Sequence, residues 1–445
     1  VAYNEGIDLD KRSDLFWLEN SEIEPNEVLL YFEYKGQFTR HGTKENLFKK
    51  INKLNIRHIN LWEYEFNSEI PFLNELKKKL KNSNFYHADE FFLKKIILEL
   101  IEKFKYWYVF FKRFNIKVHM DAKDFGFDSI IKYLALNKLN GCTVGKMRSH
   151  IEQIRGDNVP PINASDIFFV PNKDSAYRLK NYTSNRFQSI VVSGFPYNPN
   201  TENNILEINK IKNFFKDNNK NFIVLFCDTE HRDNKNNYFQ SIISKSLYNF
   251  YNSFINALSK DDEIGIIIKN KRLQGLKNLD DMYDKILEHQ KNGLCYLIDD
   301  PFQRMPLLYS SISNFVVAVC HCYPSALMEC VLNAQKGSFC DLNNLKYVEK
   351  EWYKWGENKV IFNDPLKMSE QILNLKKNFQ TSNQFGIWSD REDLLDPYKD
   401  NLGSERIGKY LNFLLKCLKN EKSKDKAITS TNEEFVKNWG KDKII

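Results

Sequence analysis

The sequence predicts two α/β domains, each built on a parallel sheet. Three observations carry this expectation. Short apolar runs alternate with helix-like stretches along almost all of the 445 residues. The intervals between successive runs are about ten residues or longer, as crossovers between parallel strands require. A Pro/Asn-rich break, Gly194-Phe-Pro-Tyr-Asn-Pro-Asn-Thr-Glu-Asn-Asn204, divides the alternation into halves of similar size.

In the first half the strand-like runs are Glu27–Tyr34, Lys117–Asp121, Thr143–Arg148, Asp166–Pro171 and Ser189–Gly194. In the second they are Asn221–Asp228, Glu263–Lys269, Cys295–Ile298, Phe315–Cys320, Lys336–Cys340 and Lys359–Phe362. Between them lie helical patterns such as Glu90–Phe111, Phe239–Leu258, Leu279–Gln290 and Ser325–Asn333. Right-handed crossovers then cover both faces of each sheet, giving Rossmann-like domains. The expected division is 1–196 for the first domain and 197–417 for the second, with 418–445 as a polar tail. Lys419–Lys426 is charged and Glu433–Trp439 weakly amphipathic, so the tail is either disordered or a helix returning to the first domain.

A composition of 42% hydrophobic, 28% charged and 14% aromatic residues is that of a globular protein. The net charge of +7, from 65 basic and 58 acidic residues, is spread along the chain. It is too small to indicate nucleic acid, and it suits phosphorylated substrates or an anionic membrane surface. Eight cysteines occur with no Cys-x-x-Cys pair, several inside apolar runs, which reads as buried thiols in a cytoplasmic protein. In Cys320-His321-Cys322, neighbours on a strand point to opposite faces and no second ligand pair follows, so no metal is expected. No apolar run is long enough to span a bilayer. Phe104–Arg113, rich in aromatic and basic residues, either touches a bilayer surface or packs on a sheet with Lys105, Lys112 and Arg113 solvated. A start at Val1 fits a processed form or a piece of a longer chain, so a missing targeting signal decides little.

Neither G-x-G-x-x-G nor G-x-x-x-x-G-K-[ST] occurs, and the chain has only 17 glycines. Any phosphate must therefore be held by helix N-termini and cations. The segment Phe315-Val-Val-Ala-Val-Cys-His-Cys-Tyr-Pro-Ser-Ala-Leu-Met-Glu329 supplies a strand running into a helix that opens at Tyr323-Pro324-Ser325. It is also what an ordinary capped strand–helix turn looks like. Lys269, Lys271 and Arg272 close another strand at the same sheet edge, either converging on that anion or forming a solvated turn. A third strand ends in Asp228-Thr-Glu-His231, where Asp228 is placed for a general base or carboxylate nucleophile, although Asp is also a common cap residue. In the first half, Asp121 ends one strand and Arg148, Ser149, His150 and Glu152 follow the next, as cleft or solvated loop residues. Asp228 and Glu152 across one cleft could divide acid and base, or nucleophile and acid, roles, as in glycosyl transfer.

Two such domains without glycine fingerprints resemble a GT-B-fold bacterial surface-polysaccharide glycosyltransferase. The stretches that carry the resemblance are Lys117–Glu152, Asp166–Ala176 with Ile190–Pro196, Pro324-Ser-Ala-Leu-Met-Glu329, and Leu395–Asp400 with Glu405–Tyr410. The resemblance implies a central cleft, with Ser325 meeting a donor phosphate and Glu329 the nucleotide ribose. It is closest to the retaining β-Kdo transferases, which use CMP-Kdo without a cofactor. Asp228 would then carry the sugar adduct and Glu152 act as acid/base toward a glycan or glycolipid acceptor. Asp8-Leu-Asp10 has the letters of the metal motif of the other common glycosyltransferase fold but follows no strand-like run. A polyol-phosphate transferase of similar architecture, or a non-catalytic glycan-binding module, stands beside this expectation.

Overall fold

The structure, a computed structural model, describes residues 1–3, 15–19, 21–34, 44–66, 68–83, 87–121, 127–147, 164–181, 186–195, 205–228, 244–270, 273–298, 316–320, 325–332, 335–342, 350–377, 384–388, 391–400, 402–420 and 423–445. In the first lobe the strands are β1 (Ala2–Tyr3), β2 (Leu29–Phe32), β3 (Arg57–Asn60), β4 (Val118–Asp121), β5 (Cys142–Lys146), β6 (Ile167–Val170) and β7 (Ser189–Val192). In the second they are β8 (Phe222–Cys227), β9 (Ile264–Lys269), β10 (Cys295–Leu297), β11 (Val316–Cys320), β12 (Lys336–Cys340) and β13 (Ile361–Phe362). The first sheet runs β3-β2-β1-β4-β5-β6-β7 and the second β10-β9-β8-β11-β12-β13. Every pairing between these strands is parallel.

Both orders are doubly wound. The chain builds outward from its first strand, then returns to build the other way. The reversal falls between β1 and β4 in the first lobe and between β8 and β11 in the second. Helices cover both faces, which is why the central strands are apolar throughout. In β8, Ile223, Leu225 and Cys227 enter the core under helices Ile205–Asp217 and Ser325–Leu332. Phe222, Val224 and Phe226 enter the core under helices Ser244–Leu258 and Pro365–Lys377.

All the strands expected from the sequence form, and β1 and β3 join them. Neither carries an apolar run: β1 has two residues, and β3 is Arg-His-Ile-Asn on the sheet edge, where exposed Arg57 meets water. Helix Ala88–Arg113 buries Trp107, Phe110 and Phe111 against the first sheet, so Phe104–Arg113 is a packed segment and not a bilayer contact.

The largest difference lies at the C-terminal end. Helix Gly403–Asn420 sends Ile407, Tyr410, Leu411 and Leu414 into the core of the first sheet, beside Val144 and Phe169. Helix Lys424–Trp439 adds Ile428 and Phe435 to the same core, and Lys424 pairs with buried Asp166 at 2.5 Å. Residues 403–417 therefore pack with the first lobe, and of the two alternatives for 418–445 the structure has the helix that returns to it. Among the described residues no helix is long and apolar enough to cross a membrane.

Candidate functional site

The second lobe gathers its chemistry at the carboxyl ends of β8, β9 and β11. Register places Cys227, Lys269 and Cys320 side by side as the last residues of these strands. The crevice at such a switch point is where doubly wound sheets bind ligands. Asp228 is the next residue after β8, and its backbone N–H still donates to the Lys269 carbonyl at 3.2 Å. This bond continues the ladder by one step and fixes where the side chain emerges.

Asp228 is only 7% exposed. One carboxylate oxygen, Oδ2, accepts from the Tyr251 hydroxyl at 2.8 Å and from Asn270 Nδ2 at 3.3 Å. Tyr251 stands on helix Ser244–Leu258 with its ring edge-on to Phe226, 4.7 Å between centroids. Burial first, and then the neighbouring Asp228 charge, push the Tyr251 phenol well above its usual range, so it remains a donor. Asn270 follows Lys269 directly and is 9% exposed. Its Oδ1 has no hydrogen-bond partner among the described residues, an acceptor left at the strand ends.

Lys269 is half-buried at the end of β9. Helix Ser325–Leu332 opens five residues beyond Cys320, so its N-terminus belongs to the turn after β11. Ser325 is its first residue and Glu329 lies one turn on, the spacing that puts two residues on one helix face. Lys271 and Arg272, also expected at the donor site, lie outside the described residues, as do His321 and Cys322. One strand further out, buried Asp341 follows β12 and accepts from the Tyr353 hydroxyl at 2.6 Å.

In the first lobe, Asp121 is the last residue of β4 and pairs in register with Gly145 of β5. Arg148, Ser149, His150 and Glu152 lie outside the described residues. The same sheet edge holds a buried polar cluster that the sequence did not flag. Lys132, 4% exposed, pairs with Glu33 at 2.8 Å, and its Nζ lies 4.4 Å from the centre of the Trp107 ring. His119 Nε2 shares a 2.7 Å hydrogen bond with the Tyr31 hydroxyl. Burial, with Lys132 adding to it, holds His119 well below the ordinary histidine range, so the ring stays neutral.

Tyr251, Asn270 and Asp341 were missed by sequence reasoning. Tyr251 sits in the apolar pattern Leu247, Phe250, Tyr251, Phe254, Leu258 and reads there as core. Asn270 is masked by the basic residues around it, although its place directly after a strand was a usable signal. Asp341 also follows a strand, but that strand's end drew no attention.

No known family profile matches this chain, and no curated protein does. Solved structures similar to it include MnaA from S. aureus with UDP, at 12% identity and TM-score 0.49, covering 95% of this chain and 98% of that one. UDP-GlcNAc 2-epimerase from Neisseria meningitidis bound to UDP-GlcNAc is similar at 13% identity and TM-score 0.47, covering 93% and 98%. The wall teichoic acid polymerase TagF is similar at 12% identity and TM-score 0.46, covering 94% and 89%. At such identities and TM-scores these likenesses carry no argument about chemistry, and the site rests on its own residues.

Proposed function

We propose that the chain is a transferase that takes an activated sugar from a nucleotide, with the donor at the switch point of the second lobe. One observation supports this above all: Asp228 and Lys269 end adjacent strands, beside the turn that leads into helix Ser325–Leu332. In dinucleotide-binding sheets the first strand–helix turn is glycine-rich and cradles phosphate. Here that turn begins with a carboxylate, which repels phosphate. The anion is then directed to the other flank, toward Lys269 and the helix opening at Ser325, where backbone N–H groups and the helix dipole favour it. The reacting carbon, attached to that phosphate, comes to lie toward Asp228.

Such a placement suits nucleophilic displacement. The Asp228 carboxylate forms a bond to the anomeric carbon as the bond to the nucleotide phosphate breaks, and the electron pair leaves with the nucleotide. An acceptor hydroxyl then displaces the carboxylate, giving up its proton to a base, the role the resemblance assigns to Glu152. The finer reading is retaining transfer of Kdo from CMP-Kdo onto a bacterial surface glycan. Lys271, Arg272 and Glu329 would complete the donor side, and Asp121, Arg148, Ser149 and His150 the acceptor side.

Titration calorimetry of the full chain with CMP, UDP, GDP and CDP-glycerol tests the reading. Binding of a nucleotide that weakens in Lys269→Ala supports it, and no binding to any of them overturns it. Preference for CDP-glycerol with a phosphodiester product would replace sugar transfer by polyol-phosphate transfer at the same site.

A further inference from the structure

The crossover from β3 to β4 is far longer than a strand–helix–strand unit needs. It contains helix Pro71–Asn82 and helix Ala88–Arg113. Their contacts show an antiparallel hairpin. Phe72 meets Phe104 and Tyr108 with ring centres 6.1 and 6.2 Å apart, Lys77 pairs with Glu102, and Lys94 Nζ donates to the Lys81 carbonyl at 3.3 Å. Successive contacts thus run in opposite directions along the two helices, and the far end of the hairpin is where the first helix ends at Asn82 and the second begins at Ala88. Its base is held by Trp107, Phe110 and Phe111 in the sheet core. The last buried residue on the way out is Ile101, and at 1.5 Å per residue Phe91 lies about 15 Å beyond it.

That tip is apolar and exposed. Phe91 and Phe92 are 69% and 65% exposed, and Leu93 and Ile96 are exposed with them. Among the described residues, four of the twelve exposed large hydrophobic side chains fall within Phe91–Ile96, so they form a patch and not the usual scatter. Lysines surround the patch. Lys78, Lys81 and Lys95 are exposed, and between Glu75 and Ile96 six lysines face three acidic residues. Two of the three, Asp89 and Glu90, lie in the first turn of the second helix, where they offset its dipole.

We propose that this hairpin tip, with Phe91, Phe92 and Leu93 inserted at headgroup level and Lys78, Lys81 and Lys95 on the headgroup phosphates, docks the protein on an anionic bilayer. Protruding aromatic residues inside a ring of lysines match a surface that is apolar at depth and negative at its face. A second copy of the chain is a poorer match, because a two-fold contact through this patch brings the lysine rings of both copies together. The surface is independent of the reaction proposed for the second lobe, and its test uses no substrate.

The test is co-sedimentation of the full chain with vesicles of phosphatidylglycerol and phosphatidylcholine, against vesicles of phosphatidylcholine alone. The chain binds the anionic vesicles, and binding weakens as salt is raised. Phe91→Ser/Phe92→Ser lowers partitioning about tenfold or more while the melting temperature holds, since both side chains are already in water. Lys78→Glu/Lys95→Glu removes the preference for anionic lipid and provides an independent reading with the aromatic residues intact. Three results overturn the proposal: no binding of the unmodified chain to anionic vesicles, both variants binding as it does, or a dimer that the serine variant dissociates without changing vesicle binding.

Discussion

Asp228 separates a structural role from a chemical one, because the two predict opposite responses to Asp228→Asn and Tyr251→Phe. Tyr251→Phe keeps the ring against Phe226 and deletes one hydrogen bond to a buried carboxylate. A hydrogen bond to a charged group contributes about 1.5–3 kcal/mol. Asn270 donates to the same oxygen at 3.3 Å, the long end of the hydrogen-bond range. For a lobe of roughly 200 residues this loss lowers the melting temperature by about 3–12 °C. Asp228→Asn keeps the shape and an oxygen for Tyr251, and relieves the desolvation of the charge as it loses the charge-assisted bond. These changes oppose, so stability shifts by about 1 kcal/mol or less. Nucleotide affinity rises in the same variant, since removing the carboxylate charge relieves its repulsion of the nucleotide phosphate. Under the proposed mechanism turnover is lost, because Asp228 is its nucleophile. Melting curves of the two single variants and the double variant, calorimetry with the nucleotide, and a turnover assay read all three effects. If Asp228→Asn keeps its turnover, or Tyr251→Phe melts with the unmodified protein, the site as argued is wrong.

Lys132→Ala deletes the ion pair to Glu33 and the cation over the Trp107 ring and costs about 1.5–3 kcal/mol, read in denaturant melts. Gly194→Ala destabilises the junction after β7, because Gly194 has φ +82° and a Cβ there would lie 3.0 Å from Asp396 Oδ1 and 3.2 Å from Arg406 Nη1. A melting temperature within 1 °C of the parent, roughly, would contradict that account. Leu411→Ala costs about 2–5 kcal/mol and raises hydrogen exchange in β5 and β6, since Leu411 packs in the core of the first sheet. Exchange rising only in the second lobe would contradict the packing. Asp442, held down to about 2 by Lys173 and then Lys443, contributes stability above about pH 4 that is lost as pH falls toward 2. The pair is half-exposed, so the effect is below about 1 kcal/mol and disappears in Asp442→Asn or high salt.

The sheets were legible because parallel strands covered on both faces must be apolar at every position. Runs such as Phe222–Cys227 and Ile264–Lys269 have few alternatives at that length. The same rule explains what was hidden. Edge strand β3 needs no apolar run, and β1 is too short to show one. The partner of the long helix Gly403–Asn420 was hidden, because an amphipathic stripe does not say which sheet it covers. Asp228 was placed by its position after a strand. Its partners needed the fold, since Tyr251 reaches it across 23 residues and Asn270 across 42.

The two sheets share one winding order, yet they treat the edge at their switch points differently. In the first lobe the buried groups Lys132 and His119 are neutralised in place, Lys132 by Glu33 and the Trp107 face, His119 by burial and the Tyr31 hydroxyl. A cluster already satisfied in this way favours a neutral, hydroxyl-bearing ligand over an anion, since a phosphate brought there would compete with Glu33 for Lys132. In the second lobe the only fixed carboxylate described at the switch point, Asp228, is pinned by neutral donors, and Lys269 stands one strand away. An anion is stabilised on the Lys269 flank and repelled on the Asp228 flank, so a ligand negative at one end and neutral at the other is oriented before any loop touches it. That polarity follows from which residue ends each strand, and it is the arrangement that the transfer proposed above requires, with the charged donor on the second lobe.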